Sequence, residues 1–434
     1  MNRRSFVRKT SLATAGGLTI LNFPIFGKNA PSNKVVIALM GVNSRGAFHL
    51  KYFSQIPGVE VAYICDVEDG AIKKGFNALK DSPRKPMLER DIRKLVAKND
   101  FDALVIAAPD HWHAPATLMG IANGKHVYVE KPAGHNPWES EILIQASAKY
   151  NKLIQVGSQR RSFPYLIEAK KLVSEGIIGK PYMGKSWYTN NRKPIGTGKV
   201  IPVPSTLDFD LWQGPAPRRD YKDNLVHYNW HWFWHWGTGE TCNNANHELD
   251  CLRWFMDVDF ATKVNSSGGR YAAKDDWETP DTQIASFEFG NDKVITWEGR
   301  SCNSYPVEMD SRGFIVYGEK GTLVNGTKFY DMENKIIKEI KTDINASSTN
   351  TVSSTGNADV AHLVNFIETI RGNAKLTASI EEAHKSVLLC HLANIAQRTG
   401  STLHCDPKTG HIKGNKEASK LWRRSYENGW EMKL

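Results

Sequence analysis

The chain has 434 residues, 41% of them hydrophobic and 24% charged, a balance typical of globular proteins that excludes a disordered or membrane-embedded class. This length favours two domains behind a short leader. The formal net charge is +10, but there is no basic stripe interleaved with aromatic residues and no zinc-ligand spacing, so we expect no nucleic-acid partner.

Residues 1–30 have the pattern of an export signal. Arg3 and Arg4 open the run RRSFVR, and an apolar stretch at residues 12–26 follows it. Paired arginines of this kind resemble the twin-arginine signal, whose pathway carries folded proteins. We therefore expect a periplasmic protein, anchored in the membrane if the leader stays uncleaved, with no other membrane segment.

Residues 33–157 alternate short apolar runs with amphipathic stretches, which predicts an α/β Rossmann domain with a doubly wound parallel sheet. The apolar runs are nearly continuous, as in strands that helices cover on both faces. The predicted strands are residues 34–40, 59–65, 103–108, 126–129 and 153–156.

The first predicted strand runs directly into the segment GVNSRG, which has the pattern of a dinucleotide-binding turn with its middle glycine replaced by Asn43. Gly41 would make the tight turn, and Gly46 would let the following helix lie close to the sheet. The backbone N–H groups at the start of that helix would hold a pyrophosphate. The predicted cofactor-binding residues of this turn are Gly41, Asn43, Ser44, Arg45 and Gly46.

Asp66 ends the second predicted strand, 20 residues after Gly46. A carboxylate at this position accepts hydrogen bonds from an adenosine ribose, and its charge favours NAD over NADP. The alternative is that Asp66 caps a helix over residues 67–80. We favour the cofactor interpretation because the glycine turn precedes it.

Two further segments follow predicted strands and therefore lie at the edge of the sheet where cofactor and substrate meet. One is AAPDHWH, which supplies Pro109, His111 and His113, and the other is EKP, which supplies Glu130 and Lys131. We predict that these five residues line the cofactor site and that Lys131 also reaches the reacting hydroxyl.

Residues 158–434 predict an α+β substrate-binding domain with a largely antiparallel, open sheet. Residues 284–289 and 294–297 alternate apolar and polar side chains, and Asn325-Gly326 is a hairpin turn signal. The polar stretch 345–356 predicts a surface loop. A helix is predicted at residues 359–370, and Ser379 opens another with capping-box spacing.

The six cysteines show no CxxC spacing. An oxidising compartment permits disulfides, but folding before export would bury the thiols in their reduced state. We therefore expect mostly free, packed cysteines.

Asn243 and His247 lie four residues apart, which on a helix places both side chains on one face. His247 would then be a proton acceptor beside a hydrogen-bonding amide. The alternative, left open by the spacing alone, is that His247 caps a buried polar network.

The segment HYNWHWFWHW at residues 227–236 is a candidate sugar-binding wall, because aromatic faces suit the C–H faces of pyranoses. Core packing is the alternative for most of these rings. His227, His231 and His235 recur every four residues, but no acid or cysteine joins them, so we predict no metal site. The predicted substrate-binding residues are Lys131, Arg160, Trp232, His235, Asn243 and His247.

Four segments together resemble the Gfo/Idh/MocA oxidoreductases, the family of glucose-fructose oxidoreductase and inositol dehydrogenase. They are the Gly41 turn, GKHVYVEKP at residues 124–132, residues 237–250, and GEKGTL at residues 318–323. The resemblance implies bound NAD and hydride transfer from a carbinol carbon, with Lys131 and His247 acting on the hydroxyl proton.

Asn243 stands where the family has an aspartate. An amide takes up no proton, so the resemblance leaves Asn243 the role of orienting the substrate. Without that anion, and with burial, the pKa of Lys131 should fall, so that a neutral Lys131 serves as the base.

The expected function is therefore an NAD-dependent sugar, glycoside or polyol dehydrogenase whose cofactor is tightly bound. One rival is a lyase or hydrolase that oxidises a sugar transiently and cleaves its glycosidic bond without net redox change. The other is a non-catalytic sugar-binding protein that keeps the Rossmann shell. By analogy with the family, a homo-oligomer is expected.

Overall fold

The computed structural model describes residues 34–342 and 356–434. The expected export signal lies outside the described residues, and so does the expected loop at 345–356 except for its last residue. The described chain forms a six-stranded sheet and a ten-stranded sheet, each covered by helices. The predicted fold class, a Rossmann domain followed by an α+β domain, is confirmed.

The first sheet is parallel throughout, with the strand order β3-β2-β1-β4-β5-β6. This is the doubly wound order, which reverses direction between β1 and β4 and leaves a crevice there at the carboxyl ends of the strands. Five strands match the sequence prediction to within two residues at each end, and β3 was missed because it has three residues, of which two are exposed. The strands are β1 Val35–Met40, β2 Val59–Cys65, β3 Met87–Glu89, β4 Ala103–Ile106, β5 His126–Val129 and β6 Ile154–Val156.

Five helices connect these strands and pack their apolar sides on the two faces of the sheet. Every residue of β4 is buried, as expected for a strand covered on both faces. The helices are α1 Arg45–Phe53, α2 Asp69–Ala78, α3 Ile92–Val96, α4 Asp110–Ala122 and α5 Pro137–Tyr150.

The second sheet has the order β14-β13-β12-β11-β7-β10-β9-β8-β15-β16 and is antiparallel except for the β7–β10 pair. Asn325 (φ 51°) and Gly326 (φ 72°) join β12 to β13 in the predicted hairpin turn, which requires left-handed backbone at both positions. The strands are β7 Pro181–Thr189, β8 Lys263–Gly269, β9 Thr282–Phe289, β10 Lys293–Arg300, β11 Arg312–Gly318, β12 Gly321–Val324, β13 Lys328–Tyr330, β14 Ile336–Glu339, β15 Leu403–Cys405 and β16 Ile412–Lys413.

Two long helices of the second half also contact the first sheet. Leu363 and Phe366 on one helix, and Ile380 on the next, belong to the hydrophobic clusters on its two faces. The two parts of the chain therefore share core residues. The remaining helices are α6 Pro164–Ser174, α7 Phe209–Gln213, α8 Asn246–Met256, α9 Gly356–Ile370, α10 Ile380–Thr399 and α11 Lys416–Lys420.

Helix α10 begins after Ser379 as predicted, but the capping box does not form. The Ser379 side chain makes no cap hydrogen bond. Glu382, the expected reciprocal partner, instead forms an ion pair with Arg253 on α8. A tertiary ion pair has replaced the local contact, so the prediction is right about the boundary and wrong about the cap.

All six cysteines are free and five are buried, which confirms the prediction of packed thiols. Within residues 34–342 and 356–434, no helix combines the length and the apolar character needed to cross a lipid bilayer.

Candidate active site

A cavity of about 520 Å³ lies at the carboxyl ends of the first sheet's strands and extends under residues of the second half. This volume is within the usual range for ligand sites. The predicted site residues that line it are Gly41, Asn43, Ser44, Arg45, Asp66, Pro109, His113, Glu130, Lys131, Arg160, Asn243 and His247.

The glycine turn brings bare backbone to the cavity. Gly41 has φ +82°, and a Cβ added there would lie 2.6 Å from the backbone nitrogen of Ala108. A Cβ on Gly46 would overlap the carbonyl oxygen of Gly41, so this glycine acts through close helix packing, as predicted. Asn43 Oδ1 accepts a hydrogen bond from Lys74 Nζ at 2.7 Å, which draws the amide towards α2.

The amino end of α1 faces this turn, and Ser44 makes no side-chain cap there. The first N–H groups of the helix are thus not covered by that hydroxyl and, with the helix dipole, suit an anion. The turn and the helix end fit the pyrophosphate of a dinucleotide.

Arg45 is held by carboxylates from two distant parts of the chain. Its Nε donates to Glu130 Oε1 at 2.9 Å and its Nη1 to Asp359 Oδ2 at 2.8 Å. His49 Nε2 also lies 2.8 Å from Glu130 Oε1. Burial alone would raise the pKa of Glu130, but Arg45 and His49 hold it well below its usual value. Glu130 therefore anchors Arg45 beside the turn, a contact the sequence did not predict.

Asp66 accepts three backbone hydrogen bonds at the end of β2. Its Oδ2 binds the N–H of Val42 at 2.8 Å, and its Oδ1 binds those of Val67 and Glu68 at 2.8 and 3.1 Å. Burial raises its pKa and these bonds oppose the rise. The carboxylate has about four acceptor positions, so it can still receive a ribose hydroxyl.

Helix α2 starts later than predicted, and its cap is a different acid. Glu68 Oε2 accepts from the N–H of Ala71 at 2.6 Å, and the helix runs over Asp69–Ala78. The alternative interpretation of Asp66 as the cap of this helix is therefore wrong.

His113 and His111 have different surroundings although both lie on α4. The His113 ring nitrogens lie 2.6 Å from the carbonyl oxygen of Pro132 and 2.7 Å from that of Ala108, so the ring ties together the segments after β4 and β5. His111 points away from the cavity, with Nε2 2.9 Å from the carbonyl oxygen of Trp212. The prediction that His111 binds cofactor is wrong, because successive helix residues point about 100° apart.

Lys131 lies where the two halves of the cavity meet. Its Nζ donates to the Asn243 carbonyl oxygen at 2.7 Å and to Asn243 Oδ1 at 3.0 Å. Burial lowers the pKa of Lys131, and the charges of Glu130 and Asp110 only partly oppose this. The fall predicted from the sequence is confirmed in direction.

Asn243 and His247 line the same cavity, as their spacing predicts. Asn243 belongs to a π-helical turn, Thr241–Ala245, that leads into α8. Burial, followed by the charges of Lys131 and Arg312, holds the pKa of His247 well below its usual value. The neutral ring makes no hydrogen bond to the part of the chain that the structure describes. The alternative of a capped polar network is therefore wrong.

Beside the predicted Arg160, the cavity lining contains Arg192 and Arg312, which the sequence did not single out. Arg312 on β11 donates from Nε and Nη2 to Glu248 at 2.8 and 3.0 Å, and Arg160 Nη2 binds the same carboxylate at 2.8 Å. Arg192 pairs with Glu240 through Nε at 2.6 Å. No local motif marks Arg192 or Arg312, because their partners come from other elements.

The aromatic segment supplies a wall as predicted, but Trp232 and His235 do not belong to it. Trp230, His231 and Tyr228 line the cavity, and the first two rings stack with centroids 3.6 Å apart. Trp232 is 1% exposed and stacks on Trp277 at 4.1 Å.

His235 also lies outside the cavity lining, with its Nε2 2.7 Å from the carbonyl oxygen of Pro217. The substrate-binding predictions for Trp232 and His235 are thus wrong. Residues Asn229–Trp232 form a 3₁₀ turn, in which alternate side chains do not share a face. The alternative interpretation, core packing, is therefore right for Trp232.

The fold and the cavity define a two-domain protein of the Rossmann oxidoreductase class. Residues 35–158 match the family model "Oxidoreductase family, NAD-binding Rossmann fold", and residues 165–432 match "Oxidoreductase family, C-terminal alpha/beta domain". The chain therefore belongs to the Gfo/Idh/MocA oxidoreductases, a family that binds NAD.

Two relatives show how this family varies. A glycosyl hydrolase family 109 protein of Saccharopolyspora erythraea is 31% identical over 167 residues, which are 37% of this chain and 36% of that protein. The chain thus spans about a third of that relative's length. An inositol 2-dehydrogenase of Rubrobacter xylanophilus is 22% identical over 300 residues, 67% of this chain and 71% of that protein.

Solved structures share the fold. The WlbA dehydrogenase of Bordetella pertussis, in complex with NADH and UDP-GlcNAcA, has a TM-score of 0.64 at 19% identity and covers 86% of this chain and 99% of its own. The scyllo-inositol dehydrogenase of Lactobacillus casei, with bound NAD(H) and scyllo-inositol, has a TM-score of 0.62 at 19% identity over 86% and 99%.

Proposed function

We propose that this protein oxidises a hydroxyl-bearing carbon of a sugar, glycoside or polyol, with tightly bound NAD as the hydride acceptor. The observation that carries the proposal is the position of the Lys131 amine, held by two oxygens of Asn243 in the cavity that starts at the glycine turn. When bound, NAD supplies the redox chemistry, and the protein supplies orientation and proton transfer.

The contacts of Lys131 suit a neutral base. A neutral amine has two N–H groups and one lone pair, and the two oxygens of Asn243 match the two N–H groups. The lone pair of Nζ is then left for the proton of the substrate hydroxyl. Burial supports this state because it disfavours the ammonium form.

His247 is the second group able to hold that proton. Its ring is neutral at ordinary pH because burial and the charges of Arg312 and Arg160 disfavour the imidazolium. A neutral ring nitrogen accepts a hydrogen bond from the hydroxyl and orients it towards Lys131. Proton transfer by a positioned base typically contributes about a hundredfold to ten-thousandfold in rate.

The substrate and cofactor classes draw on the relatives and on Asp66. The similar proteins include dehydrogenases named for inositols. Another similar protein, the WlbA dehydrogenase, was crystallised with the nucleotide sugar UDP-GlcNAcA. Asp66, at the end of β2, would repel a 2′-phosphate, so the proposal is for NAD over NADP.

The test combines cofactor identification with a matched pair of lysine variants. The freshly purified protein should release a dinucleotide on denaturation, and sugars should raise the absorbance of reduced nicotinamide. Lys131→Met should abolish this response and keep the dinucleotide. Lys125→Met is the control and should keep the activity. Lys125 is a buried lysine at the other end of β5, and its Nζ donates to the carbonyl oxygen of Phe101 outside the cavity. If the protein releases no dinucleotide and Lys131→Met behaves like the wild type with sugars, a non-catalytic sugar-binding protein would be favoured.

A second candidate is redox-neutral cleavage of a glycoside through transient oxidation. The similarity to a glycosyl hydrolase family 109 protein supports it. Incubation with nitrophenyl glycosides, without added NAD, separates the two functions. Cleavage without net nicotinamide reduction would replace the dehydrogenase proposal.

We also propose export by the twin-arginine pathway, based on Arg3 and Arg4. Such a protein would fold around its dinucleotide before export, and ligand binding would stabilise the folded state. Replacing both arginines by lysine should retain the protein in the cytoplasm in a cell-fractionation assay. Unchanged fractionation would refute this route.

A further inference from the structure

Arg160, Arg192 and Arg312 line the same cavity as Lys131, and we call this part of the lining the arginine end. Arg160 and Arg312 share the single carboxylate of Glu248, which is itself fully buried. Arg192 pairs one-to-one with Glu240. The three arginines that line this end of the cavity thus contact two glutamates.

The groups next to this cluster add no compensating anion. The amide of Asn243 is uncharged, and burial keeps His247 neutral. Of the two other carboxylates near Lys131, Glu130 is bound by Arg45 and by His49.

The other carboxylate, Asp110, is buried and accepts a hydrogen bond from Thr238. Burial raises the pKa of Asp110 and so weakens its negative charge, and the charge of His113 and the Thr238 hydrogen bond oppose this rise. The arginine end of the cavity attracts an anion more strongly than a neutral group, because partial burial reduces screening by water.

Arg312 has donors left for such an anion. Its Nε and Nη2 bind Glu248, and its Nη1 contacts Asn244 Oδ1 at the long distance of 3.4 Å. A guanidinium has five N–H groups, so hydrogen atoms on Nη1 and Nη2 remain. Glu248 holds the planar group rigidly, which prepares it for a second, bidentate carboxylate.

We propose that the substrate carries a carboxylate, as in a uronic acid or a uronoside, and that Arg312 with Arg160 binds this group while Lys131 receives the proton of the reacting hydroxyl. This inference rests on the proposed function and narrows its substrate class. The carboxylate is bound and not transformed, so the electron balance of the oxidation is unchanged.

The experiment compares acids with their amides on the holoenzyme. Glucuronate, galacturonate and mannuronate are each paired with the matching uronamide, and binding by calorimetry and nicotinamide reduction are both measured. The best uronate should bind about ten- to a hundredfold more tightly than its amide, the usual range for a charge-assisted hydrogen bond. High salt should weaken the binding of the uronate and leave the binding of the amide unchanged. If no uronate exceeds its amide, the inference is overturned.

The two readouts separate this inference from the proposed function. A uronate that binds more tightly than its amide but leaves the nicotinamide unchanged would support the inference and contradict the oxidation. Equal oxidation and equal binding of acids and amides would support the proposed oxidation and contradict the inference of a carboxylate site.

A variant pair tests the assignment to Arg312. Arg312→Gln should lower the ratio of acid binding to amide binding at least tenfold. Arg253→Gln removes another buried arginine, outside the cavity lining, and should preserve the ratio. An unaltered ratio of acid binding to amide binding in a folded Arg312→Gln protein would overturn the assignment. If Arg312→Gln fails to fold, the wild-type comparison of acids with amides decides by itself.

Discussion

Asn243→Asp tests the claim that Lys131 acts as a neutral base. The substitution places a carboxylate where Asn243 Oδ1 now lies, 3.0 Å from Lys131 Nζ. At an effective dielectric constant of about 20, two unit charges at this distance attract by about 5 kcal/mol, or about 4 pKa units. Water in the open cavity reduces this, so we expect the pKa of Lys131 to rise by about 1–3 units.

The assay is the pH dependence of kcat with a saturating sugar. A base must be unprotonated, so activity increases as the pH rises through the pKa of Lys131. In Asn243→Asp, that acidic limb should move to higher pH by the same 1–3 units. The new carboxylate and Lys131 titrate as a coupled pair, so the shift belongs to both groups.

Asn243→Ala is the matched control, because it removes the amide without adding charge and keeps the backbone oxygen that binds Lys131. Its acidic limb should lie close to that of the wild type. An Asn243→Asp profile with an unmoved acidic limb would refute the role of Lys131 as the titrating base.

Four further substitutions probe other parts of the site. Gly41→Ala should lose the bound dinucleotide, as measured by mass spectrometry, because its Cβ would meet Ala108 and its φ is +82°; retention of the cofactor would contradict the cradle. Asp66→Asn should raise the ratio of NADP to NAD in the co-purifying dinucleotide about tenfold by removing a charge that repels a 2′-phosphate. An unchanged ratio would show that Asp66 only accepts hydrogen bonds from the backbone. Trp232→Ala should cost about 3–5 kcal/mol of unfolding free energy in a denaturant titration, since its ring is buried against Trp277. Trp230→Ala, on the cavity wall, should instead raise KM for the sugar and lose much less unfolding free energy. If Trp230→Ala were the more destabilising change and Trp232→Ala the one that raises KM, the two assignments would be exchanged.

Several features of the fold and the site follow from local sequence. Runs of buried apolar residues define the strands of the first sheet, and the Asn325-Gly326 pair defines a hairpin. The glycine turn and Lys131 follow strands whose carboxyl ends share one edge of a parallel sheet, so their convergence could be predicted. In each case, the physical cause acts over a few residues.

Helix geometry accounts for one success and one failure. Asn243 and His247 were predicted to share a face, and both line the cavity. In the aromatic segment, the prediction for Trp232 failed. A 3₁₀ turn, which the sequence does not reveal, brings Trp230 to the cavity and buries Trp232.

The charge arrangement of the site was decided by tertiary structure alone. Arg45 and Asp359 form an ion pair across 314 positions, and Arg312 meets Glu248 across 64. Such pairs depend on how elements that are distant in the chain pack against each other, which no periodicity within either segment encodes. The sequence by itself thus determined the elements and the cofactor edge, whereas packing between distant elements decided which charges face the substrate.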